Sequence, residues 1–343
     1  MRMLTGVNGT RTLDPELAAL ATLIPLIDLH DMEQARRIER TVVEEMHRGS
    51  HPGPVEHHSA PRPDGSGVAL TLRRPRPASR RIPGAVPRAS LPVLVFLHGG
   101  SFVTGGLHTE EERCGYYADA TGCAVLSVDY RLSPEHPYPA ALDDCGWVLD
   151  WLADNAAGLG LDPTRVAMGG LSAGGALAAG TALRWRDARR TAAGGGARLQ
   201  VVLQLLLHPV LDGTLGTASV RLFEDTPIIT GQHLRDCWAM YLGVGLGDDE
   251  GLQAAVRAPS ARYASPGRVD DLAGLPPVFL STAEFDPLRD EGLSFALGLL
   301  AAGIPVELHH YARAFHSFDS FSATRMGRTA LAAHVDALHA AFR

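Results

Sequence analysis

The fold is decided by the stretch Arg165-Val166-Ala167-Met168-Gly169-Gly170-Leu171-Ser172-Ala173-Gly174-Gly175. This stretch sets one serine between glycines where an apolar run gives way to an alanine-rich run. The first run is typical of a buried strand and the second of a helix. A strand that turns sharply into a helix holds the Ser172 side chain out at the top of a sheet, and glycines on either side avoid crowding in that turn. The helix then points its free N–H groups at any negative charge that develops beside Ser172.

The chemical hypothesis from this stretch is nucleophilic catalysis through a covalent serine intermediate. A Gly-x-Ser-x-Gly match alone is weak evidence, because a chain with 37 glycines produces such matches by chance and a plain glycine-rich turn looks the same. The hypothesis therefore depends on whether the chain also supplies a base, an acid that orients the base and donors for an oxyanion.

Length and charge exclude several classes of function. The 343 residues suffice for one large α/β domain with an accessory cap or for two small domains. The formal net charge is −7, and every basic residue is arginine. No arginine cluster beyond Arg73-Arg74-Pro75-Arg76 and Arg80-Arg81 suggests a nucleic-acid surface, and these lie in a proline-rich stretch that we interpret as a solvated linker.

The cysteines and the N-terminus bear on the cellular compartment. Cys114, Cys123, Cys145 and Cys237 contain no Cys-x-x-Cys pair, so they indicate neither a zinc site nor a disulfide framework. Residues 1–14 are polar, and no segment has eighteen consecutive apolar residues. We therefore expect a soluble cytoplasmic protein without a metal, a cofactor or a membrane partner.

Short apolar runs alternate with helical stretches from residue 92 onward. The runs lie at 92–97, 124–128, 166–168, 199–207, 277–280 and 306–311. Apolar strands that alternate with helices predict an α/β fold, with a mostly parallel central sheet and helices on both faces. Active sites in such sheets lie at the carboxyl ends of the strands.

The segment ahead of these runs has two different patterns. Residues 14–46 repeat apolar side chains at three- and four-residue spacing, with Asp14 placed to cap a helix and Pro25 placed to kink or divide it. The extended runs at 55–59 and 68–73 predict edge strands joined by loops.

A further segment, 213–270, interrupts the alternation and contains a predicted helix at 232–242. We expect the two helical segments to form a cap over the site. The chain then divides into N-terminal cap helices at 1–50 and a catalytic domain at 51–343, with 213–270 as an inserted cap segment.

The acid of the hypothesis is predicted at Asp286. A serine hydroxyl is a poor nucleophile at neutral pH, so Ser172 needs a base and an acid that orients it. In enzymes with this strand–serine–helix turn, the acid and then the histidine follow the serine along the chain. Asp286 follows an apolar run, and Pro287 begins a helix that leaves the aspartate in the turn. The alternative is that Asp286 only caps that helix.

Other carboxylates compete for this role. Glu284 and Asp290 are close in sequence, and Asp212 follows an earlier strand. Asp290 and Glu291 fall inside the predicted helix, where we expect them to pair with arginine or water.

The base is predicted at His316, in the loop after the last strand. His309 and His310 lie within that strand, where side chains point sideways, whereas a loop histidine can fold over the sheet end. The chain has 15 histidines, so a surface histidine without a role is the alternative.

Oxyanion donors are predicted in two places. The strand Val93-Leu94-Val95-Phe96-Leu97 ends in His98-Gly99-Gly100-Ser101, where glycine lets backbone N–H groups approach a substrate closely. Together with the N–H group of Ala173, those of Gly99, Gly100 and Ser101 are the candidate donors. We expect His98 to brace this loop through its ring nitrogens.

At these residues the chain resembles the hormone-sensitive lipase family of carboxylesterases, which have the α/β-hydrolase fold. The resemblance spans about residues 91–318 and includes Asp129-Tyr130-Arg131-Leu132-Ser133-Pro134-Glu135-His136-Pro137-Tyr138-Pro139-Ala140-Ala141-Leu142-Asp143-Asp144. It implies Ser172 as nucleophile, Asp286 as acid and His316 as base. It also implies the oxyanion site and the cap described above.

Three positions depart from the family pattern. Ser101 stands where the family usually has a third glycine, Leu171 where it usually has an acidic residue, and Ser317 where it favours glycine. Ser101 keeps its N–H donor, but its Cβ restricts the loop beside the acyl group. We predict that Leu171 and Phe102 contact the substrate.

The expected activity is hydrolysis of small- to medium-chain carboxylic esters through an acyl-enzyme. Cleavage of amides, carbamates or lactones, or acyl transfer to an alcohol, would use the same residues. A ligand-binding receptor is the alternative from another class, since receptors resembling this family lack its histidine, and His316 argues against it. Some members of the family pair into dimers, so the resemblance also implies a homodimer as an expectation.

Overall fold

The apolar runs of the sequence become strands of one sheet. The computed structural model describes residues 4–6, 9–25, 27–48, 53–76, 90–191 and 199–343. The strands are β1 Leu4–Gly6, β2 Gly9–Arg11, β3 Glu56–Pro61, β4 Gly67–Arg73, β5 Leu91–Leu97, β6 Ala124–Asp129, β7 Leu161–Leu171, β8 Val201–Leu207, β9 Val278–Phe285 and β10 Val306–Phe315. Within these ranges, β3 to β10 form an eight-stranded sheet in the order β10-β9-β8-β7-β5-β6-β4-β3, and β1 pairs with β2.

The sheet is mostly parallel, as predicted. β3, β4 and β6 pair antiparallel at one edge, and the strands from β6 across to β10 pair parallel. The carboxyl ends of β5, β7, β8, β9 and β10 therefore meet at one edge of the sheet, which is where side chains after these strands can converge.

Helices separate the strands in sequence. The α-helices are α1 Pro15–Ala21, α2 Met32–Met46, α3 Glu111–Thr121, α4 Ala140–Asn155, α5 Ala173–Thr191, α6 Ala218–Leu222, α7 Gly231–Leu242, α8 Asp249–Arg257, α9 Arg289–Ala301 and α10 Arg325–Ala341, and short 3-10 helices lie at Pro259–Ala261, Pro266–Arg268 and Phe318–Ser320. Asp14 caps α1 by accepting from the Glu16 amide at 3.0 Å. The predicted N-terminal helix is divided, because α1 ends before Pro25 and α2 begins after it.

Alternate side chains of β5 enter two separate buried clusters. Val93, Val95 and Leu97 belong to a cluster that includes apolar residues of α4, α5 and α9. Leu94 and Phe96 belong to a cluster with residues of α3 and α10. Because neighbouring strand residues point to opposite faces, helices cover both faces of the sheet, which confirms the predicted α/β architecture.

The interpretation of the arginine-rich stretch as a solvated linker is wrong for Arg73, whereas Arg76 is exposed and lies outside the strands and helices. Arg73 ends β4, is buried, and donates to the Gly53 carbonyl oxygen at 2.7 Å. Arg74 pairs with Glu56 at 2.6 Å, and Arg76 pairs with Asp119. Long guanidinium side chains reach across the sheet edge to these carboxylates, which the local composition does not reveal. Arg80 and Arg81 lie outside the described residues.

Candidate active site

Ser172 lies at the sharp turn between β7 and α5. Its backbone has a φ of +56°, and its N–H donates to the Leu207 carbonyl oxygen at 2.7 Å. A Cβ at Gly174 would lie 2.1 Å from the Leu97 carbonyl oxygen, and one at Gly170 would lie 2.4 Å from the Gly174 carbonyl carbon. These distances leave no room for a side chain, so both glycines are required by the turn, as the sequence predicts.

His316 bridges Ser172 and Asp286. The Nε2 atom of His316 lies 3.0 Å from the Ser172 hydroxyl oxygen, and its Nδ1 atom lies 2.8 Å from Asp286 Oδ2. All three side chains are buried, and they come from the ends of β7, β9 and β10. This arrangement can take a proton from the serine and hold the resulting imidazolium in place.

Asp286 also binds the backbone. Its Oδ1 atom accepts a hydrogen bond from the Leu288 amide at 2.8 Å, so the aspartate closes the turn ahead of α9. The two interpretations of this residue from the sequence are therefore compatible, because one carboxylate oxygen serves the turn and the other faces His316.

The other candidate carboxylates accept hydrogen bonds from backbone amides outside the Ser172–His316 pair. Asp212 accepts from the Thr214 amide at 2.9 Å, and Glu284 accepts from the Arg313 amide at 2.8 Å. Asp290 accepts from the Ser219 amide at 2.8 Å, and it also pairs with the side chain of the arginine that precedes it.

Glu291 differs from the expectation that it would pair with arginine or water. It is buried, and its Oε1 atom accepts from the amides of Leu211 and Asp212 at 2.6 Å and 3.3 Å. Burial raises the pKa of the Glu291 carboxyl well above its ordinary value, despite these two hydrogen bonds. The first turn of α9 lies against the chain that leaves β8, which brings this carboxyl to backbone donors.

The segment after β5, residues 98–105, is called the glycine loop here. The amides of Val103 and Thr104 donate to the Gly100 carbonyl oxygen at 3.0 Å and 2.8 Å, which closes a tight turn. Gly100 has a φ of +118°, and a Cβ there would lie 2.3 Å from the Thr104 carbonyl oxygen. In the part of the chain that the structure describes, the N–H groups of Gly99, Gly100 and Ser101 have no acceptor.

Ala173 begins α5, so its N–H group belongs to the unsatisfied first turn of a helix. The turn places it directly after Ser172. The described geometry therefore brings the predicted donors of the glycine loop and of α5 to the same end of the sheet as the serine.

His98 braces the glycine loop, as expected. Its Nδ1 atom lies 2.7 Å from the Gly99 carbonyl oxygen, and its ring stacks on that of Tyr130 with centroids 4.1 Å apart. The Tyr130 hydroxyl donates to the His98 carbonyl oxygen at 2.8 Å. Burial lowers the pKa of His98 to about 4, so the ring is neutral at neutral pH.

Phe102 and Leu171, predicted to contact the substrate, both have buried side chains. Phe102 stacks on Tyr241 of α7 with ring centroids 3.9 Å apart. Leu171 belongs to the cluster of α3 and α10, and its side chain lies 3.6 Å from the position of a Cβ on Gly99. Phe102 lies within the glycine loop and Leu171 packs against it, and their contact with substrate stays a prediction.

His208, which the sequence interpretation missed, lies directly behind Asp286. Its Nδ1 atom lies 3.7 Å from Asp286 Oδ2, and its Nε2 atom lies 3.5 Å from Asp319 Oδ1. Arg113 of α3 holds the other oxygen of Asp319 at 2.9 Å. Burial alone would raise the pKa of Asp319, but Arg113 and His208 hold it well below its usual range. His208 directly follows β8, so the rule that sites gather at strand ends could have found it.

Three side chains at this edge offer ligand atoms that a metal ion could use. His208, Asp286 and His316 place one such atom each within 4.8 Å of one another. The Asp286 oxygen and the His316 Nδ1 atom already pair at 2.8 Å, and His316 Nε2 faces Ser172. A metal ion at this position would displace both contacts.

Comparison with known proteins agrees with this geometry. A family model described as the alpha/beta hydrolase fold matches residues 94–320. The chain belongs to the α/β-hydrolase family. The match includes the glycine loop, the serine turn, Asp286 and His316.

Several named relatives of this α/β hydrolase are esterases. It is 40% identical to the carboxylesterase NlhH of Mycobacterium tuberculosis over 262 residues, which are 74% of this chain and 76% of the relative. It is 29% identical to an ethyl acetate hydrolase of Pseudomonas putida over 320 residues, covering 90% of this chain and 92% of the relative. The solved structure of a bacterial heroin esterase matches with a TM-score of 0.85 at 36% identity, covering 97% of this chain and 98% of that one.

These findings confirm the resemblance to the hormone-sensitive lipase family, the α/β-hydrolase fold and the assignment to the carboxylesterase class of enzymes. Among the helices in the described ranges, none combines the length and the apolar character needed to cross a membrane.

Proposed function

We propose that this α/β hydrolase cleaves carboxylic esters with small to medium acyl groups through an acyl-enzyme on Ser172. The observation that carries the proposal is the pair of contacts made by His316, 3.0 Å to Ser172 Oγ and 2.8 Å to Asp286 Oδ2. A receptor that only binds a ligand has no need of a base in contact with a serine hydroxyl. The named esterase relatives support the same activity.

In the first half of the proposed reaction, the Ser172 hydroxyl oxygen attacks the ester carbonyl carbon while His316 Nε2 takes the hydroxyl proton. The carbonyl oxygen becomes an oxyanion, and Asp286 holds the imidazolium. The tetrahedral intermediate then collapses, its bond to the alcohol oxygen breaks, and the alcohol leaves with the proton from His316. Ser172 remains as an acyl ester.

In the second half, a water molecule attacks the acyl carbon and gives a proton to His316. A second collapse breaks the bond to Ser172 Oγ, releases the carboxylic acid and returns the proton to the serine. The oxyanion of both intermediates accepts from the N–H groups of Gly99, Gly100 and Ser101 in the glycine loop and of Ala173 in α5. Removal of one such donor typically costs about 3 kcal/mol in the transition state.

A preference for short acyl groups is supported by the closed surroundings of the serine. The side chain of Phe102, within the glycine loop, and that of Leu171, packed against Gly99, are both buried, and in this proposal a long acyl chain would have to displace them. A relative named for ethyl acetate hydrolysis is consistent with this preference.

We further propose that residues 1–50 and 213–270 act together as the cap. Ala35 of α2, Val103 of the glycine loop and Cys237 of α7 share one buried cluster, so both segments pack against the loop beside the serine. Substrates would then enter between these helices and the sheet.

A cytoplasmic location is supported by the cysteines. All four are unpaired and buried. Burial raises the pKa of Cys114 and of Cys237 to about 12 and that of Cys123 to about 11, so these thiols are protonated at neutral pH. Whether the protein pairs into a homodimer is a separate expectation that sedimentation at several concentrations would decide.

The proposed function is tested with p-nitrophenyl esters of increasing acyl length, from acetate to decanoate. We expect turnover to be highest with acetate or butyrate and to vanish in Ser172→Ala, whose circular dichroism should match that of the wild type. Ser66→Ala is the matched control, because Ser66 is exposed in the hairpin between β3 and β4. An unchanged rate in Ser172→Ala would rule out the mechanism, and a maximum at decanoate would rule out the chain-length preference.

A parallel assay with the matching amide, carbamate and lactone separates esters from the other acyl substrates. Added methanol separates hydrolysis from acyl transfer, because a transferase would form the methyl ester in place of the free acid. We expect the ester to be turned over fastest and the free acid to be the main product.

A further inference from the structure

Helix α7 contacts two consecutive residues of the glycine loop. The hydroxyl oxygen of Ser101 lies 2.9 Å from Nε2 of His233. Phe102 stacks on Tyr241 with ring centroids 3.9 Å apart and planes within 6° of parallel. His233 and Tyr241 are eight residues apart on α7, so they lie on one face of the helix. The inserted segment therefore contacts the loop at both positions.

Both loop residues have a left-handed backbone. Ser101 has a φ of +58° and Phe102 a φ of +65°. Side chains other than glycine rarely adopt this conformation, because the Cβ crowds the backbone, and they persist there only when surrounding contacts hold them. The hydrogen bond to His233 holds the Ser101 side chain, and the Cys237 thiol of α7 also interacts with the Ser101 hydroxyl.

His233 is suited to this contact because its ring is neutral. Burial lowers the pKa of His233 to about 4, and electrostatic repulsion between the two imidazoles of His233 and His316 lowers it further. A neutral imidazole can accept a hydrogen bond from the Ser101 hydroxyl on Nε2. The Thr230 hydroxyl accepts from the His233 amide and fixes the start of the helix, so the ring is presented from a rigid position.

We infer that His233 is a positioning residue for the oxyanion donors, a role that rests on the proposed function. Its hydrogen bond to Ser101 holds the glycine loop in the left-handed turn that leaves the N–H groups of Gly100 and Ser101 free to face the substrate oxygen. His233 itself does not touch the reacting atoms. The inserted segment is thereby coupled to transition-state stabilisation as well as to substrate access.

Two substitutions of Ser101 distinguish the effect of losing its hydroxyl from the effect of strain in its left-handed backbone. Ser101→Ala keeps the Cβ and removes the hydrogen bond, so the left-handed turn is strained and unsupported. We expect kcat to fall about tenfold, the equivalent of one lost hydrogen bond. Ser101→Gly also lacks the hydroxyl but adopts this φ without strain, so we expect a smaller loss of about threefold.

Substitutions of His233 test the partner. We expect His233→Leu to lower kcat about tenfold, and His233→Gln to recover most of it, because a glutamine amide can still bond to the hydroxyl. In the Ser101→Ala background, His233→Leu should change kcat by less than about twofold, since the contact is already absent. Gln232→Leu, at the exposed neighbouring position of α7, is the matched control and should have wild-type kinetics.

Two further measurements distinguish positioning from a general structural defect. KM for p-nitrophenyl butyrate should stay within about twofold, while the inhibition constant of a phenylboronic acid, which mimics the tetrahedral intermediate, should rise in parallel with the loss of kcat. Hydrogen–deuterium exchange at the amides of Val103 and Thr104, which donate to the Gly100 carbonyl oxygen and close the loop turn, should be faster in His233→Leu than in the wild type.

Equal losses in Ser101→Ala and Ser101→Gly, or the same effect of His233→Leu in both backgrounds, would overturn the inference. So would unchanged exchange at the loop amides, a measurement that needs no turnover. Absence of esterase activity in the wild type would instead contradict the proposed function, and the exchange result would still decide whether His233 holds the loop.

Discussion

The two carboxylate oxygens of Asp286 contact different partners, one in the backbone and one in the active site. Oδ1 accepts from the Leu288 amide, and Oδ2 faces His316. Because the first contact fixes the carboxylate plane, the second oxygen is presented to the imidazole in a single orientation. A side chain in this position can hold one tautomer of His316, with the proton on Nδ1 and Nε2 free to accept from Ser172.

Asp286→Asn tests this role, because it replaces one carboxylate oxygen with an NH₂ group. The amide can present an N–H group to His316 and favour the wrong tautomer, so we expect kcat for p-nitrophenyl butyrate to fall by about three to four orders of magnitude. The fold should survive, since the amide oxygen can still accept from Leu288. Steady-state kinetics with a thermal unfolding scan measures both.

Asp212→Asn is the matched control, because Asp212 also accepts from a nearby amide in a loop after a strand. We expect its kcat to stay within about twofold of the wild type, as for most substitutions away from the reacting groups. A large loss in Asp212→Asn with an active Asp286→Asn would transfer the role of acid to Asp212.

At the level of secondary-structure elements, β7 and α5 are joined with almost no free space. A Cβ on Gly174 would lie 2.1 Å from the Leu97 carbonyl oxygen and 2.5 Å from that of His98. We expect Gly174→Ala to push α5 away from the end of β5, to lower the free energy of unfolding by about 3 kcal/mol and to abolish activity. Urea unfolding and the ester assay measure the two effects.

Gly245→Ala is the control for that substitution, because a Cβ at Gly245 meets nothing within 4 Å. Its stability should lie within about 0.5 kcal/mol of the wild type. If the free energy of unfolding of Gly174→Ala equalled that of the wild type, α5 could move away from the end of β5 at little cost, contrary to the close packing of the turn.

The contact of α9 with the loop after β8 gives a prediction about pH. The pKa of Glu291 is raised well above 4.5 in the folded protein, so the folded state binds a proton more tightly than the unfolded state. The resulting stabilisation is fully present below pH 4.5 and is lost as the pH rises through the raised pKa. Wild-type stability should therefore decline across this range.

Glu291→Gln removes this dependence, because an amide keeps an oxygen for the Leu211 N–H and cannot ionise. We expect the variant to match the wild type near pH 5 and to exceed it at pH 9. Urea unfolding at a series of pH values is the measurement. Parallel curves for both proteins over the whole range would show that Glu291 does not titrate there.

The sequence predicts the site residues that directly follow strands. Ser172, Asp286 and His316 each stand where an apolar run ends, so their convergence follows from parallel pairing alone. The ends of the strands are less predictable. β9 continues through the polar residues Ser281 and Thr282, because Thr282 finds a partner in His310 of β10 at 2.9 Å, a pairing that depends on register.

The contact of Ser101 with His233 could not be predicted, because the two residues are 132 positions apart and meet only through the placement of α7. The same holds for Asp319, whose partner Arg113 is 206 positions away on α3. No local pattern marks either pair. Their proximity follows from how helices pack on the sheet, which periodicity does not specify.

At the scale of the whole molecule, Arg36 joins the N-terminal helices to the rest of the protein. From α2, its guanidinium donates to the carbonyl oxygens of Val103 and Ser133 at 2.9 Å and 3.1 Å and pairs with Glu135. These acceptors lie in the glycine loop and in the loop after β6. One side chain thus connects α2 to both.

We expect Arg36→Ala to lower the free energy of unfolding by about 2 kcal/mol, since charge-assisted hydrogen bonds to two carbonyl oxygens are lost. Hydrogen–deuterium exchange within α2 should increase more than exchange within β5 or β7. Arg37→Ala, which removes only an exposed pair with Glu33, is the control and should change stability by less than about 0.5 kcal/mol. Equal effects of the two substitutions would mean that Arg36 does not anchor α2.

Because all four cysteines are buried, the protein is well suited to site-specific labelling that would measure movement of the proposed cap helices. The sequence contains no lysine, so apart from the chain terminus it has no primary amine, and its own thiols are protonated and out of reach of solvent. The native surface is therefore nearly inert to maleimides and to amine-reactive esters. Two cysteines, one introduced on the exposed side of α7 and one on the β3–β4 hairpin, would accept a pair of fluorophores without background labelling. The pair would report the distance between these two sites during turnover.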